Sequence, residues 1–213
     1  MNAAAEIKYT GMKMSEKEWN DIWEILCLCD REFVPALSSR NSTSQTNLLV
    51  ASNQTAESKA DSTEESTEEH FAHVIANNAH DKPHTYFSEL RLQQFILAKQ
   101  DDRVTGFLSF KTEYICDALA QFGYSNYITT VCVTPEQRGH GILNQLYDYM
   151  ENELPQQVKC SRITTRTWSQ NDAQIHTLLK RGYKLLKTLA NDRGAGVDTL
   201  YFGKAAGSIS IKG

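Results

Sequence analysis

The chain has 213 residues, 40% of them hydrophobic and 23% charged, with a formal net charge of −4. That composition suits one globular domain spanning 1–213, able to bury a core without disulfide or metal staples. The acidic balance excludes a nucleic-acid-coating role, which calls for a basic surface, and no apolar run approaches membrane-spanning length. The opening "MNAAAEIKYTGMKM" lacks the basic-then-apolar pattern of a secretory signal. A cytoplasmic protein is expected, with no nucleic acid and no membrane among its partners. In that compartment Cys27, Cys29, Cys116, Cys132 and Cys160 stay reduced, and the sequons at Asn41 and Asn53 carry no glycan.

The first element is a helix in "SEKEWNDIWEILCLCDREFVPAL", with Ser15 and Glu18 spaced as a capping box and Trp19, Ile22, Trp23 and Leu26 as its apolar stripe. It should end near Pro35. From 38 to about 69 the composition turns to Ser, Thr, Asn, Gln and acidic residues without apolar period, which reads as a polar, flexible insertion. "EEHFAHVIANNAH" suggests a short helix. "QFILAKQ", "RVTGFLSFKTEYI" and "YSNYITTVCV" alternate as three strands, with Asp101 and Asp102 forming a tight turn between the first two. A helix from Gly141 to Glu153 follows, stopped by Pro155, with Ile142, Leu146, Tyr149 and Met150 inward and Asn144, Asp148 and Glu151 outward. "SRITTRTW" is a strand, "NDAQIHTLLKRG" a helix, and "YKLLKTLA" and "VDTLYFGK" a closing pair of strands. The order predicts a mixed α/β (α+β) fold.

The densest chemistry lies in "VCVTPEQRGHGIL", where a strand runs into a helix through Arg138, Gly139, His140 and Gly141. The first N–H groups of a helix lack internal partners and sit at the positive end of its dipole. Glycines there let an anion approach the backbone, so the loop suits a phosphate or pyrophosphate. The alternative is a turn in which glycine only permits positive φ. Neither G-x-x-x-x-G-K-[ST] nor G-x-G-x-x-G is present.

"VCVTPEQRGHGIL" resembles the acyl-CoA-binding motif of the GNAT superfamily of N-acyltransferases, a valine-rich strand followed by R-x-x-G-x-[GA]. Arg138, Gly139, His140, Gly141 and Ile142 map onto it, while Leu143 stands where the family has glycine or alanine and should crowd the loop. "NDAQIHTLLKRGY" is similar to a second family segment through Asn171, Gly182 and Tyr183. The resemblance covers roughly 95–204. It implies a central mixed sheet, flanked by helices, that splays open between two parallel strands. Acetyl-CoA would be the co-substrate, its pantetheine arm along the Val131–Cys132–Val133 strand and pairing with the backbone of Val131 and Val133. Its pyrophosphate would lie on the amides of Arg138 to Leu143, and Asn171 would face the arm. Asn171 also reads as a plain helix N-cap.

The implied reaction is acetyl transfer to a primary amine of a small molecule or peptide. It needs a neutral amine, a polarised carbonyl and a proton for the leaving thiolate. The family often places a tyrosine acid where this chain has Leu178, and a glutamate base on the strand where "SNYITTVCV" has no carboxylate. Tyr127 is the candidate acid, on the ground that it alternates in phase with Thr129, Val131 and Val133; packing alone is the other reading. Glu113, Tyr124, His140 and His176 read as structural or surface residues. The histidines of "HFAHVIANNAHDKPH" match no zinc spacing, so no metal is assigned. A non-catalytic acyl-CoA-binding module and an interaction protein docking through its polar insertion are the competing functions. A homodimer is left open.

Overall fold

A computed structural model describes residues 4–40 and 82–206. Residues 1–25 with 90–213 make one compact unit, and residues 26–89 a second. The strands are β1 (Glu6–Gly11), β2 (Gln94–Gln100), β3 (Arg103–Tyr114), β4 (Ser125–Val133), β5 (Arg162–Trp168), β6 (Lys184–Leu189) and β7 (Thr199–Ala205). The helices are α1 (Glu16–Cys29), α2 (His84–Leu90), α3 (Ile142–Asp148) and α4 (Asp172–Lys180). The strands form one seven-stranded sheet in the order β1-β2-β3-β4-β5-β7-β6. Only β4 and β5 run parallel; every other neighbouring pair is antiparallel. This is the mixed α/β arrangement expected from the sequence.

Local chemistry accounts for several boundaries. Asp101 and Asp102 take φ values of 49° and 60° and join Gln100 to its partner Arg103 across a two-residue hairpin. The Ser15 N–H donates to Glu18 Oε2 at 2.8 Å and the Glu18 N–H to Ser15 Oγ at 3.2 Å, the reciprocal bonds of a capping box. β1 was not expected. It is short and lies at the sheet edge, paired with β2 from Glu6↔Lys99 to Tyr9↔Ile96.

In the second unit the first helix stops at Cys29 and tightens into a 3-10 turn at Asp30–Glu32, well short of Pro35. The cause is the buried Asp30 carboxylate, which accepts from Ser38 N at 2.7 Å and Ser38 Oγ at 2.8 Å and draws the chain back on itself. Ser38–Arg40 is another 3-10 turn, and the Arg40 guanidinium lies 5.0 Å from the centre of the Tyr86 ring. The rest of the polar insertion and the short helix expected after it lie outside the described residues.

In the larger unit, one sheet face carries α3 and α4. Ile96, Leu108, Phe110, Ile128, Ile163 and Phe202 of the strands bury against Ile142, Leu146 and Tyr147 of α3 and Leu178 of α4. On the opposite face Trp19 of α1 meets Phe95 edge-on, with ring centres 5.3 Å apart, and Phe107 lies beside Phe95. After Asp148 the helix loosens into a π-helical segment, Tyr149–Glu153. The sequence assignment of inward residues needs correcting both just before that segment and within it. Tyr147 is wholly buried, Tyr149 only half-buried, and Glu151 points inward. Glu151 is matched by Arg181 Nε and Lys204 Nζ, each at 2.9 Å, while Arg181 also binds Asp148. Those pairs fasten α3 to the end of α4 and to β7.

Candidate functional site

The parallel ladder between β4 and β5 consists of Asn126↔Ile163, Tyr127↔Thr164 and Ile128↔Thr165. It stops there, although β4 continues to Val133 and β5 to Trp168. Thr134 N donates to Thr105 O at 2.9 Å, and the register continues through Gly106↔Val133, Phe107↔Cys132 and Leu108↔Val131. In an antiparallel ladder, bonded and non-bonded pairs alternate. The backbone of Cys132 therefore faces β3, whereas Val131 and Val133 turn their N–H and C=O groups to the side where β5 has parted. The Val133 carbonyl accepts from Arg138 Nε at 3.2 Å.

Past β4 the chain makes a 3-10 turn at Pro135–Gln137 and enters α3 through two left-handed glycines, Gly139 at φ 78° and Gly141 at φ 81°. Both readings of these glycines require that conformation. The N-cap Gly141 offers no side-chain acceptor, and the first helical bond runs from Gln145 N to Gly141 O. The N–H groups of Ile142, Leu143 and Asn144 thus have no carbonyl within the helix. A Cβ built on Gly139 would meet nothing within 4 Å, and one on Gly141 only Gln145 Nε2 at 3.9 Å. The loop is open to an approaching anion, and it fits a pyrophosphate. Leu143 does not crowd it, contrary to expectation: its side chain packs against the core beneath. His140 is exposed.

Gly106 is a contributor that sequence reasoning missed. A Cβ there would lie 3.0 Å from Cys132 O, 3.2 Å from Val133 Cγ2 and 3.3 Å from Ile142 Cγ2. Its absence lets the start of α3 settle onto β3 and β4. A glycine inside an apolar strand was the available signal. Across the opening, Asn171 caps α4, its Oδ1 accepting from Gln174 N at 3.2 Å. Gln174 Nε2 in turn donates to the Tyr147 hydroxyl at 2.5 Å, joining the first turn of α4 to α3.

The phase argument for Tyr127 needs correction. Register passes from Ser109↔Thr130 to Phe110↔Ile128, so Thr129 is a bulge residue and the alternation slips there. Ile128, Val131 and Val133 belong to the α3 side of the sheet, while Tyr127 is buried on the opposite face with Cys116, Leu119 and Tyr201. Its ring centre lies 5.4 Å from that of Tyr114. Burial pushes its pKa above the ordinary phenol value, against a smaller lowering by Arg166. Leu178 is fully buried in the α3–α4 core. Glu113, Tyr124 and His176 are exposed, and none of the five cysteines is in a disulfide. Among the described residues no group of three or more His, Cys, Asp or Glu is placed to hold a metal. His70, His73 and His80 lie outside them. No described helix is long and apolar enough to cross a membrane.

Comparison with known proteins bears on this geometry. The model of the Acetyltransferase (GNAT) family matches residues 55–183. No curated protein matches the chain in sequence. Among solved structures, an N-acetyltransferase from Staphylococcus aureus Mu50 is 15% identical with a TM-score of 0.53, covering 96% of this chain and 99% of its own. The yncA protein of Salmonella typhimurium, solved with its cofactor acetyl-CoA, is 15% identical with a TM-score of 0.54, covering 97% and 96%. A ribosomal-protein-alanine N-acetyltransferase from Brucella melitensis is 14% identical with a TM-score of 0.52, covering 94% and 99%. At such identities the likeness is one of fold.

Proposed function

Because the chain belongs to the GNAT acetyltransferase family, we propose that it transfers an acetyl group from acetyl-CoA to a primary amine of a small molecule or peptide. The observation that carries this reading is the abrupt end of the β4–β5 ladder at Ile128↔Thr165, directly before a glycine loop that opens a helix. The thioester supplies the activated acyl group: the amine nitrogen bonds to the carbonyl carbon as the C–S bond breaks.

The backbone of Val131 and Val133 pairs with the pantetheine arm as a strand would. Arg138 to Leu143 form the loop that receives the pyrophosphate, chiefly through the N–H groups of the first turn of α3. The Arg138 guanidinium, seated on the Val133 carbonyl, can exchange that acceptor for a phosphate oxygen. Asn171 holds the opposite lip by capping α4. Tyr127 keeps its proton and donates a hydrogen bond toward the leaving sulfur. The proton that ends on the thiol comes from the amine, by way of water.

Two measurements test this. Acetyl-CoA should raise the melting temperature, since a ligand that binds only the folded chain stabilises it. An amine panel should then release free CoA thiol. A second reading, an acyl-CoA-binding module without catalysis, is favoured by Leu178 and by the absence of a carboxylate on β4. A melting shift without thiol release from any amine would select it.

A further inference from the structure

The bulge in β4 falls one residue past the last parallel pair, Ile128↔Thr165, where Thr165 Oγ1 still reaches across to Ile128 O at 3.1 Å. Thr129 and Thr130 there stand against the single Ser109 of β3. Leu108 and Phe110 belong to the α3–α4 core, so Ser109 points to the other face of the sheet. Its hydroxyl lies 2.8 Å from Thr129 Oγ1, which places the Thr129 side chain on that face too. Along β4, Thr129 and Val131 are half-buried while the other positions are buried. Thr129 is thus a polar side chain at the fork of the two strands that keeps some contact with solvent.

Its hydroxyl is held by two buried residues, Gln93 and Ser109. A hydroxyl has one proton and two lone pairs. Gln93 Oε1 can only accept, so the Thr129 proton goes to it, with the Ser109 carbonyl at 3.2 Å as a second acceptor within reach. Ser109 Oγ must then donate the 2.8 Å bond, which takes one lone pair of Thr129. The other lone pair receives no donor from the described residues. The bulge therefore presents an oriented acceptor beside the gap.

On the acetyltransferase reading above, we infer that Thr129 Oγ1 receives an N–H of the attacking amine. A neutral amine attacks through its lone pair, and its N–H bonds point away from the carbonyl. One fixed acceptor for an N–H therefore sets the direction of attack. As the N–C bond forms, the nitrogen gains positive charge and its N–H becomes a stronger donor, so the hydrogen bond tightens in the transition state. Thr129 keeps its own proton on Gln93, and the proton the amine sheds leaves by way of water. The device orients the amine without being a base.

The test follows CoA release from saturating acetyl-CoA with a panel of amino acids, polyamines and short peptides, by wild type, Thr129→Ser, Thr129→Val and Thr129→Ala. Thr129→Val should lower kcat about tenfold or more and change KM for the amine little, since the bond matters most in the transition state. Thr129→Ala, which asks less of the bulge than a valine does, should fall in the same way. Thr129→Ser keeps the hydroxyl and should stay within about threefold of wild type. The loss should be equal across pH 6–10, because threonine does not titrate there. The melting shift with acetyl-CoA should be the same in all four proteins. Wild-type kcat in both Thr129→Val and Thr129→Ala, or a serine variant as slow as they are, overturns the inference and leaves the acetyltransferase reading standing. So does a slow variant that has also lost the acetyl-CoA shift, which would make the bulge a support for the cofactor site alone. Thiol release by wild type from no amine at all overturns both.

Discussion

The two halves of β4 are held in different ways. From Asn126 to Ile128 the strand lies paired between β3 and β5, and side-chain hydrogen bonds fasten this half to its surroundings. Ser125 Oγ shares a 2.6 Å bond with Thr164 Oγ1, Asn126 Nδ2 donates to Val158 O at 2.8 Å, and Thr165 Oγ1 donates to Ile128 O at 3.1 Å. From Val131 to Val133 the strand pairs, among the described strands, with β3 and not with β5, and on its open side Arg138 takes the Val133 carbonyl. The bulge at Thr129 separates the halves. There the hydroxyl bonds Gln93 and lies 2.8 Å from Ser109 Oγ, so the irregularity is itself tied down. A strand can thus leave one edge unpaired for a ligand provided its first half anchors it. Changes in the closed half should cost stability, and changes at the open end should cost binding.

The largest effect is expected at the open end. Gly141→Val forces a β-branched residue into φ 81° and places its side chain where the pyrophosphate should lie. The melting shift with acetyl-CoA should vanish, while the intrinsic melting temperature falls by only a few degrees. An undiminished shift would remove this loop from the site. Next comes the clamp behind α3. Glu151→Leu leaves Arg181 and Lys204 without their shared carboxylate in a largely buried setting. Breaking such a pair from one side costs about 3 kcal/mol after allowance for partial exposure. That predicts a fall of roughly 6–12 °C for a chain of this size. A fall of under 2 °C would show that the pairs only decorate the surface. In the closed half, Thr164→Val deprives Ser125 of its buried hydroxyl partner and should cost about 1–2 kcal/mol by urea unfolding. It should leave the acetyl-CoA shift unchanged; a weakened shift would mean that the two halves are not separable.

Features set by neighbours in sequence were legible from the sequence. The Asp101-Asp102 hairpin, the Ser15–Glu18 capping box and the left-handed Gly139 and Gly141 each depend on a few consecutive residues. The missed features depend on distant contacts. Gly106 reads as an ordinary strand glycine until Ile142 is placed above it. Glu151 reads as a solvent-facing acid because Arg181 and Lys204 are 30 and 53 positions away. Nothing local marks the bulge at Thr129, since it arises from how β3 and β4 register. The surroundings of Tyr127 suffer most, because Lys111, Tyr127, Arg166 and Tyr201 come from separate strands and meet only in the sheet.

The smallest effect is expected at Tyr127. The family pattern would have a tyrosine deliver its proton to the departing thiolate, and on that view Tyr127→Phe should slow turnover on the order of 10²-fold. The structure favours a lesser role. Burial raises the phenol above its usual pKa near 10, whereas a thiol titrates near 8.5, so the proton stays on oxygen. What the phenol can still offer is a hydrogen bond to negative charge forming on sulfur. Losing one such bond costs about 1 kcal/mol, a fall in kcat of under about tenfold. Tyr127→Phe should also leave the pH–rate profile in place, because no titrating group has been removed. Steady-state rates of both proteins across pH 6–10, at saturating acetyl-CoA and with whichever amine releases thiol, decide between the roles. A 10²-fold fall together with loss of the alkaline limb would restore Tyr127 as the acid. It would also mean that cofactor binding lowers a pKa which the free chain holds high.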